Sequence, residues 1–360
     1  DLAPVNIAVQ AFDQKFLKNV KRKNLTNDEI SKFVFDHQQK KRIVSTDLIV
    51  PNTGETLESH LNSMRKFFDL NFDFENINIM RMLPGTEMES DKDRSHYGIQ
   101  TKWRPMDAGW GKYKGEFIFE TDENAISTKH ITEQQMYGLK KIHFLTNLFW
   151  SMGVGKSLLK IGQLFKIDPL DVIIKLAQDK DSLLFKNILM PLENEFKNEW
   201  FNNEEDLINF YKDPKNHENL LSGKEGLTKL NLKYMTNLML EKKIVYNSIH
   251  LLKNFIKNAC DEQKIYQIHK MIESHSHELD GLVIADGFPK NKLLEAFSRY
   301  LKEYLEEAYS LNPSIRYSAK RSLKNKLSKF KKLNPGFGRR ILVRNNNNNN
   351  IFDLVNNRPS

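Results

Sequence analysis

The sequence contains almost no cysteine: Cys260 is the only one among its 360 residues. A disulfide within the chain needs two cysteines, and a cysteine-based metal site needs several, so the composition excludes both for this chain. A reducing, cytoplasmic environment is therefore the expected setting.

Long apolar runs are also absent. No stretch of about 18 apolar residues occurs, so no transmembrane helix is predicted. The first residues do not combine a charged start with an apolar core, so no signal peptide is predicted. No segment recurs at a fixed period, so a repeat architecture is not expected.

The composition is otherwise that of a globular protein. Hydrophobic residues make up 39% of the chain and include 23 Phe, which is enough for a substantial core. Charged residues make up 28%, and the net charge is +9. This excess permits contact with phosphates or membrane surfaces but does not require it.

The first 90 residues alternate between strand and helix patterns. The predicted strands are 5–9, 43–51 and 77–83. The first predicted helix is 14–20. The second is capped by Thr26 or Asn27 and runs to about Lys41, and the third is capped by Thr56. Strands separated by helices of this length pair in parallel through right-handed crossovers. Residues 1–90 therefore predict consecutive β/α units of a barrel or a doubly wound sheet.

Three further regions follow. Residues 91–132 are rich in Gly, Lys and aromatic residues, which favours extended segments with a short strand at 115–120. Residues 133–335 are predicted to be mostly helical; the helices expected after the one that opens at Thr132–Glu133 are 158–165, 169–178, 227–256, 262–274 and 290–309, with polar loops near 202–205 and 212–219. Residues 336–360 are basic and Asn-rich and are predicted to be a disordered tail.

The strand ends are the places where chemistry is expected. In a β/α barrel the catalytic groups lie at the carboxyl ends of the strands, because the loops and helix N-termini converge there. This singles out Gln10 with the residues just after it, then 51–56 and 83–87. Gly54 and Gly85 in the last two segments would allow a ligand to approach the backbone closely.

The three junctions carry a family resemblance. They lie in VQAFDQKFLKNVKRKN, STDLIVPNTGETLESHL and INIMRMLPGTEMES. In order and spacing these segments resemble the second half of a radical S-adenosylmethionine enzyme barrel. The next segment, YGIQTKWRPMDAGWGKYKGE, is similar to a subgroup that has a cobalamin-binding domain before the barrel and a helical region after it. The resemblance covers residues 1 to about 150.

The resemblance implies an α/β fold, with the C-terminal half of a radical-SAM-type (β/α) barrel at 1–90 and a mostly α-helical region after it. It implies an enzyme that uses S-adenosylmethionine and a 4Fe-4S cluster to generate a 5′-deoxyadenosyl radical for hydrogen abstraction. Methyl transfer to carbon with cobalamin is a frequent outcome in the subgroup. A reductant for the cluster is an implied partner, and the substrate, a small molecule or a lipid-type compound, stays undefined.

The chain also departs from the family pattern. Ala11 replaces the usual Ser, while Pro51 and Thr53 stand where the family often has Gly and Pro. The Cys-x-x-x-Cys-x-x-Cys loop that binds the cluster is missing, as is the Gly-Gly-Glu-like segment that holds the methionine amino group. Both are expected upstream of residue 1, so the chain is expected to be a fragment that is inactive alone.

The resemblance also implies roles for individual residues. Gln10 and Arg22 would be polar groups near S-adenosylmethionine, with Arg22 a partner for its carboxylate. The backbones of Val50 and Leu83 would lie against the adenosyl part, with Gly54 and Gly85 beside them.

Each of these roles has a structural alternative. Gln10 could hydrogen-bond neighbouring backbone, Arg22 lies in a Lys-Arg-Lys run typical of a solvated face, and both glycines suit turns. Glu55 and Thr56 are predicted to fix the turn and to cap the helix rather than to touch a ligand.

Other motifs predict structure rather than chemistry. The sequence GVGKS at 153–157 lacks the first glycine of a phosphate loop and has helical flanks, so it is not assigned to a nucleotide. His269, His275 and His277 have no partners at metal-ligand spacing, and His143 is predicted to be a packed core residue.

The aromatic residues of the 91–132 region leave two interpretations open. The cluster of Trp103, Trp110 and Tyr113 could brace Gly-rich loops or stack on a substrate.

An alternative function comes from a different class. Every charged residue from Arg316 to Arg344 is basic. Such a tail could bind nucleic acid or anionic lipid by neutralising phosphates. The alternative is therefore a non-catalytic helical interaction protein whose basic tail binds a protein or RNA partner.

Overall fold

The computed structural model describes residues 5–40, 42, 44–151, 154–222, 230, 231, 234, 238 and 241–259. The chain is a mixed α/β protein in which three β/α units are followed by a two-stranded ribbon and a helical half. The predicted helices 262–274 and 290–309 and the predicted tail 336–360 lie outside the described residues.

The N-terminal strands form one open sheet. Strands β1 (Val5–Gln10), β2 (Val44–Val50) and β3 (Phe74–Ile79) lie side by side in that order, and both pairings are parallel. The predicted parallel β/α arrangement is therefore confirmed. In the described residues the sheet is not closed into a barrel.

The connecting helices begin at side-chain caps that the sequence indicates. Helices α1 (Gln14–Asn19), α2 (Asn27–Gln39) and α3 (Leu57–Asp69) follow β1 and β2. Thr26 and Thr56 each form a capping box, in which the threonine hydroxyl accepts from a backbone N–H of the first turn and a side chain of that turn accepts from the cap backbone. These bonds satisfy donors that a helix start leaves free.

The region after β3 contains more regular structure than predicted. A short helix, α4 (Asp91–Tyr97), precedes an antiparallel ribbon of β4 (Gln100–Tyr113) and β5 (Glu116–Ser127). Extended segments were predicted here, but the strand expected at 115–120 is longer than predicted, because β5 runs from Glu116 to Ser127. Lys114 and Gly115 form the ribbon turn, with φ of 50° and 91°, and two positive φ angles match the twist of the paired strands.

The ribbon is attached to the sheet beyond the end of β3. Ala125 N donates to Met80 O at 2.9 Å, and Met82 N donates to Glu123 O at 3.0 Å. Residues 80–82 therefore continue the backbone pairing of the sheet into β5.

The helical half begins where the sequence predicts. Thr132 caps α5 (Glu133–Thr146) in a capping box with Gln135. The helices that follow are α6 (Lys156–Leu164), α7 (Pro169–Gln178), α8 (Met190–Asn198), α9 (Glu204–Lys212), α10 (Pro214–Ser222) and α11 (Lys242–Asn258). The segments Asn147–Ser151 and Phe185–Leu189 are π-helical turns.

Two predictions in this half were wrong. The polar segment 212–219 is mostly helical, because Pro214 begins α10 and its fixed φ suits a first helical turn. The segment 202–205 is a helix start rather than a loop, since the Asn203 side chain caps α9.

The main core lies between the sheet and the helices of both halves. On one face of β2, Leu48 is fully buried, and Phe67, Phe68 and Trp150 pack into the same cluster. The indole of Trp150 donates to Phe72 O at 2.7 Å. Each such aromatic side chain contributes roughly 1.5–3 kcal/mol by burial, so this contact region is a major source of stability.

An ion-pair cluster also joins the two halves. The Arg65 guanidinium on α3 contacts the carboxylates of Asp168 and Asp171 at 2.6 Å each, and Asp168 is the N-cap of α7. Among the helices in the described part of the chain, none combines the length and apolar character needed to span a membrane.

Candidate functional site

The carboxyl edge of the three-stranded sheet is the candidate site. Because β1, β2 and β3 are parallel, their last residues, Gln10, Val50 and Ile79, lie at the same edge. The loops that follow them contain the residues singled out by the sequence. Contacts between these loops show how they are brought together.

Gln10 ends β1 in an unusual backbone conformation. Its φ is 63°, in the left-handed region that residues other than Gly rarely adopt. The register of β1 against β2 shifts between Ile7 and Gln10. The side chain of Gln10 is half-buried. A left-handed residue at a strand end is a form of backbone strain that often accompanies a functional site.

Arg22 lies beside β1 and contacts its backbone. Its guanidinium donates to Ala8 O and to Asn24 Oδ1, the latter at 3.1 Å. The Asn24 amide donates to Val9 O and Ala11 O, each at 2.9 Å. Arg22 therefore has a bracing role at the end of β1, beside the ligand role that the resemblance implies.

The loop after β2 is closed and tightly packed. Gly54 has a φ of 80°, and a Cβ at this position would lie 2.9 Å from Asn19 Nδ2. The same Asn19 amide donates to Thr53 O at 3.3 Å. The positive φ favours glycine at this position, and its lack of a Cβ lets the β2 loop approach α1 closely.

Glu55 and Thr56 have the roles that were predicted for them. The buried Glu55 carboxylate accepts from Asn52 N at 3.3 Å and closes the turn, and Thr56 caps α3. Val50 lies at the strand end with its side chain buried, and its carbonyl accepts from Met80 N at 3.0 Å.

The loop after β3 lies further from the strand than predicted. Strand β3 ends at Ile79 rather than at Leu83, because Met80 N makes the last bond to β2 and the bonds of Met80 O and Met82 N go to β5. Leu83 is therefore an exposed loop residue, and its carbonyl accepts from Thr86 N and Oγ1. Gly85 has a φ of 83°, and its N–H donates to Glu89 Oε2 at 2.6 Å.

An ion pair joins the segment between α1 and α2 to the loop after β3. Lys21 Nζ lies 2.6 Å from Glu87 Oε1, and both side chains are exposed. The pKa of Lys21 is raised and that of Glu87 is lowered, in each case by the hydrogen bond between them. The pair places the segment after α1 against the loop after β3, and the Asn19–Thr53 bond places the end of α1 against the loop after β2.

One face of the sheet supplies polar residues that the sequence analysis did not single out. Alternate residues point to opposite faces of a strand, and the face opposite the helices contains Asn6, Asp47, Asn76 and Asn78. Asn6, Asn76 and Asn78 are exposed, and Asp47 is half-buried. Asn6 Nδ2 donates to Asp47 Oδ2 at 2.5 Å. The polar-apolar alternation of VNIAV and FENINI is the signal that could have identified this face.

Several titratable groups lie on the opposite, helix-covered side of the sheet. Glu75 on β3 is fully buried, and neither of its carboxylate oxygens has a hydrogen-bond partner. Burial raises the pKa of Glu75 from 4.5 to about 8. Burial also lowers the pKa of Lys140 on α5 to about 8. His143 is buried on the same helix, which confirms the prediction that it is packed in the core.

The lysine of the GVGKS motif is engaged in structure. Lys156 Nζ lies 3.0 Å from Asp73 Oδ1 and 5.4 Å from the centre of the Trp150 ring, and its side chain is buried. Lys156 is the first residue of α6. This position is incompatible with a lysine that reaches the phosphates of a nucleotide.

The aromatic residues of the ribbon divide into two groups. Trp103 and Trp110 pack against a cluster formed by Leu207, Tyr211 and Leu220, so both brace the ribbon on α9 and α10. Tyr113 at the ribbon tip is exposed. His269, His275 and His277 lie outside the described residues.

The residues present do not fit an iron–sulfur cluster. In the described ranges, no group of three or more His, Cys, Asp or Glu side chains could hold a metal ion. A 4Fe-4S cluster needs several thiolates, and the chain has one cysteine. The carboxyl edge does offer amide, backbone and guanidinium groups of the kind that bind a polar organic cofactor such as S-adenosylmethionine.

Comparison with known proteins does not assign the chain. No family model matches it, and no curated protein matches it either.

Proposed function

We propose that this chain is part of a radical S-adenosylmethionine enzyme and forms one side of its active site. The observation that carries the proposal is that the first β/α unit contacts the loops after β2 and β3, where Asn19 meets Thr53 and Lys21 meets Glu87. Three consecutive parallel strands that end at a common edge are the geometry that the resemblance implies.

The carboxyl edge is the proposed position of S-adenosylmethionine, which when bound supplies a carbon radical for hydrogen abstraction from a substrate. Gln10 would bind and orient its polar groups, and Arg22 would contribute positive charge. The closed β2 loop around Gly54 would provide a wall that excludes water. These groups bind and position, while the reactive chemistry belongs to the cofactor.

The polar sheet face of Asn6, Asp47, Asn76 and Asn78 adjoins this edge. In a (β/α) barrel the face that is not covered by helices lines the interior. We propose that these side chains hydrogen-bond the substrate. A substrate with polar groups suits this face better than a lipid-type compound.

The cluster belongs to another part of the proposed enzyme, since the residues of this chain do not fit it. No reaction step can be assigned to this chain through the cluster. The family resemblance is what supports cobalamin-dependent methyl transfer to carbon and an external reductant.

The test is binding of S-adenosylmethionine to the purified chain, measured by isothermal titration calorimetry. Gln10→Gly removes the side chain and suits the left-handed backbone, so it should leave folding intact. We expect saturable binding that this variant weakens by about tenfold, as for one lost hydrogen bond to a charged ligand. Gln134→Ala, at an exposed position of α5, is the matched control and should bind like the unmodified chain.

Equal binding by Gln10→Gly and the unmodified chain would remove Gln10 from the site. Absence of any binding would count against the enzyme assignment. It would favour the alternative, a non-catalytic helical interaction protein whose basic tail binds a protein or RNA partner.

A further inference from the structure

A row of three buried titratable side chains crosses α3. His60 Nδ1 lies 3.5 Å from Glu55 Oε1, and His60 Nε2 lies 3.0 Å from His143 Nε2. Glu55 belongs to the loop after β2, His60 to α3 and His143 to α5. The row therefore connects the candidate-site loop with the interior of the helical half.

The row is closed to solvent along most of its length. The side chains of Glu55 and His60 are 0% exposed. Glu55 Oε1 and His60 Nδ1 have no hydrogen-bond partner. Buried polar atoms are rarely left without a partner, because an unsatisfied polar atom lowers the stability of the folded state. The two atoms lie 3.5 Å apart, and a proton shared between them would satisfy both.

A small cavity lies at the far end of the row. Its volume is about 40 Å³, and His143, Lys140, Asn147 and Asn231 provide its polar lining. A water molecule needs roughly 10–15 Å³ of such volume and at least two polar partners. The cavity therefore has room for two or three water molecules in contact with His143.

We propose that Glu55, His60 and His143 form a proton relay that connects this cavity with the loop after β2. The relay rests on distances, burial and the cavity, and it does not depend on the radical S-adenosylmethionine assignment. In its starting state the Glu55 carboxylate accepts the Nδ1 proton of His60, and His60 Nε2 accepts the Nε2 proton of His143.

Each transfer along the relay is balanced. A hydronium ion in the cavity gives a proton to His143 Nδ1 and becomes a neutral water, and the Nε2 proton of His143 moves to His60 Nε2. The Nδ1 proton of His60 then moves to Glu55, which becomes neutral. Each N–H bond that breaks on one atom is matched by a bond that forms on the next. The reverse sequence restores the starting tautomers.

The charged groups around the cavity favour a transient proton rather than a stored one. Burial lowers the pKa of His143 well below its ordinary value, and nearby His60 and Lys140 lower it further. The negative charge of Glu199 raises the pKa of Lys140, and the positive charge of Arg104 lowers it. His143 is therefore neutral at physiological pH, as a relay member must be.

The loop end of the relay shows what a proton would change. Glu55 Oε2 accepts from Asn52 N in the turn before Gly54. A bond to an ionised carboxylate is roughly twice as strong as a bond to a neutral group. A proton on Glu55 would weaken this bond. The turn, in which Gly54 lies close to α1, would then loosen.

The first test is nuclear magnetic resonance of the whole chain with ¹⁵N-labelled histidine. We expect a scalar coupling across the bond between His60 Nε2 and His143 Nε2, with the proton of His60 on Nδ1. Absence of coupling between the two rings overturns the relay. This measurement needs no variant, so it does not depend on the folding of one.

The second test is exchange of the His60 ring proton with solvent. His143→Gln keeps a donor toward His60 but cannot pass a proton on, so exchange should slow by about an order of magnitude. Met136→Leu changes the apolar cavity wall and should leave the rate unchanged. A network that is merely structural would exchange at the same rate or faster in His143→Gln, and that result overturns the relay.

Discussion

Lys21 and Glu87 form an exposed ion pair of 2.6 Å although they are 66 positions apart in the chain. Exposed ion pairs of this kind contribute little to stability, because water and salt screen them. The value of this pair is positional: it shows that the segment after α1 reaches the loop after β3.

Carbodiimide cross-linking should therefore join Lys21 to Glu87. The reagent forms an amide between an amine and a carboxylate in direct contact, and mass spectrometry of the digest should identify this link. Lys23, two positions further along and also exposed, is the internal control and should not cross-link to Glu87. Recovery of the Lys23 product in place of the Lys21 product would contradict the arrangement of the edge.

Glu75→Gln should stabilise the protein at alkaline pH. The folded-state pKa of Glu75, about 8, is above its unfolded value, so the folded state holds a proton that the unfolded state releases. Stability is then lost as the pH rises through the window between the two pKa values. The glutamine variant avoids this loss, on the order of 5 kcal/mol above about pH 8 and much less near pH 5.

Urea denaturation of both proteins across this pH window checks the difference. Glu58→Gln, at an exposed position in the first turn of α3, is the control and should show no comparable pH-dependent gain. A constant difference between Glu75→Gln and the unmodified chain at all pH values would show that Glu75 does not change its protonation on folding.

Gly54→Ala should cost more stability than Gly85→Ala. Both glycines have positive φ, which costs a non-glycine residue about 1–2 kcal/mol. A Cβ at Gly54 would also meet Asn19 Nδ2, whereas a Cβ at Gly85 has nothing within 4 Å. We expect a loss of about 1 kcal/mol for Gly85→Ala and about 2–3 kcal/mol for Gly54→Ala.

A double-mutant cycle with Asn19→Ala separates the contact from the backbone strain. If the clash contributes, Asn19→Ala should cost less in the Gly54→Ala background than in the unmodified chain. Chemical denaturation measures each loss of stability. If the losses of the two substitutions are strictly additive, backbone strain at Gly54 accounts for the whole loss in Gly54→Ala.

Reconstitution with iron and sulfide under anaerobic conditions should not load this chain with a cluster. The reason is the single cysteine, which cannot supply the thiolates. Cys260→Ser is the matched control, and its absorbance after desalting should equal that of the unmodified chain. Stoichiometric cluster absorbance that disappears in Cys260→Ser would contradict the expectation.

The sequence predicts local structure well where short-range chemistry decides it. The caps at Thr26, Thr56 and Thr132 are each formed with a residue three positions later, so the pattern contains both partners. The helix Pro169–Gln178 has the predicted bounds because Pro at its first position and an apolar stripe fix its start and its face.

Predictions fail where distant contacts decide. Strand β3 ends early because Met82 pairs with Glu123 on β5, a partner that the local pattern of residues 77–83 does not reveal. The ribbon is longer than predicted because Trp103 and Trp110 find their partners on helices some hundred positions later. The segment 212–219 is polar, yet Leu220 is buried against the same cluster and stabilises its helix.

The candidate site was predictable in its backbone but not in its side chains. Parallel order places Gln10, Val50 and the loop of Gly54 at one edge, and strand periodicity alone supports that order. The pairing of His60 with His143 depends on how α3 packs against α5, which no local pattern encodes. Arg22 illustrates the same limit, since its contact with Ala8 O requires the chain to fold back on β1.

The contact of Arg22 with β1 has a consequence for self-association. In the described sheet β1 lies at the edge, where unpaired carbonyls can accept a strand from another molecule. The Arg22 guanidinium occupies the carbonyl of Ala8, so it blocks part of this edge against pairing with another strand. A chain without Arg22 would leave this carbonyl free to pair with a strand of another molecule.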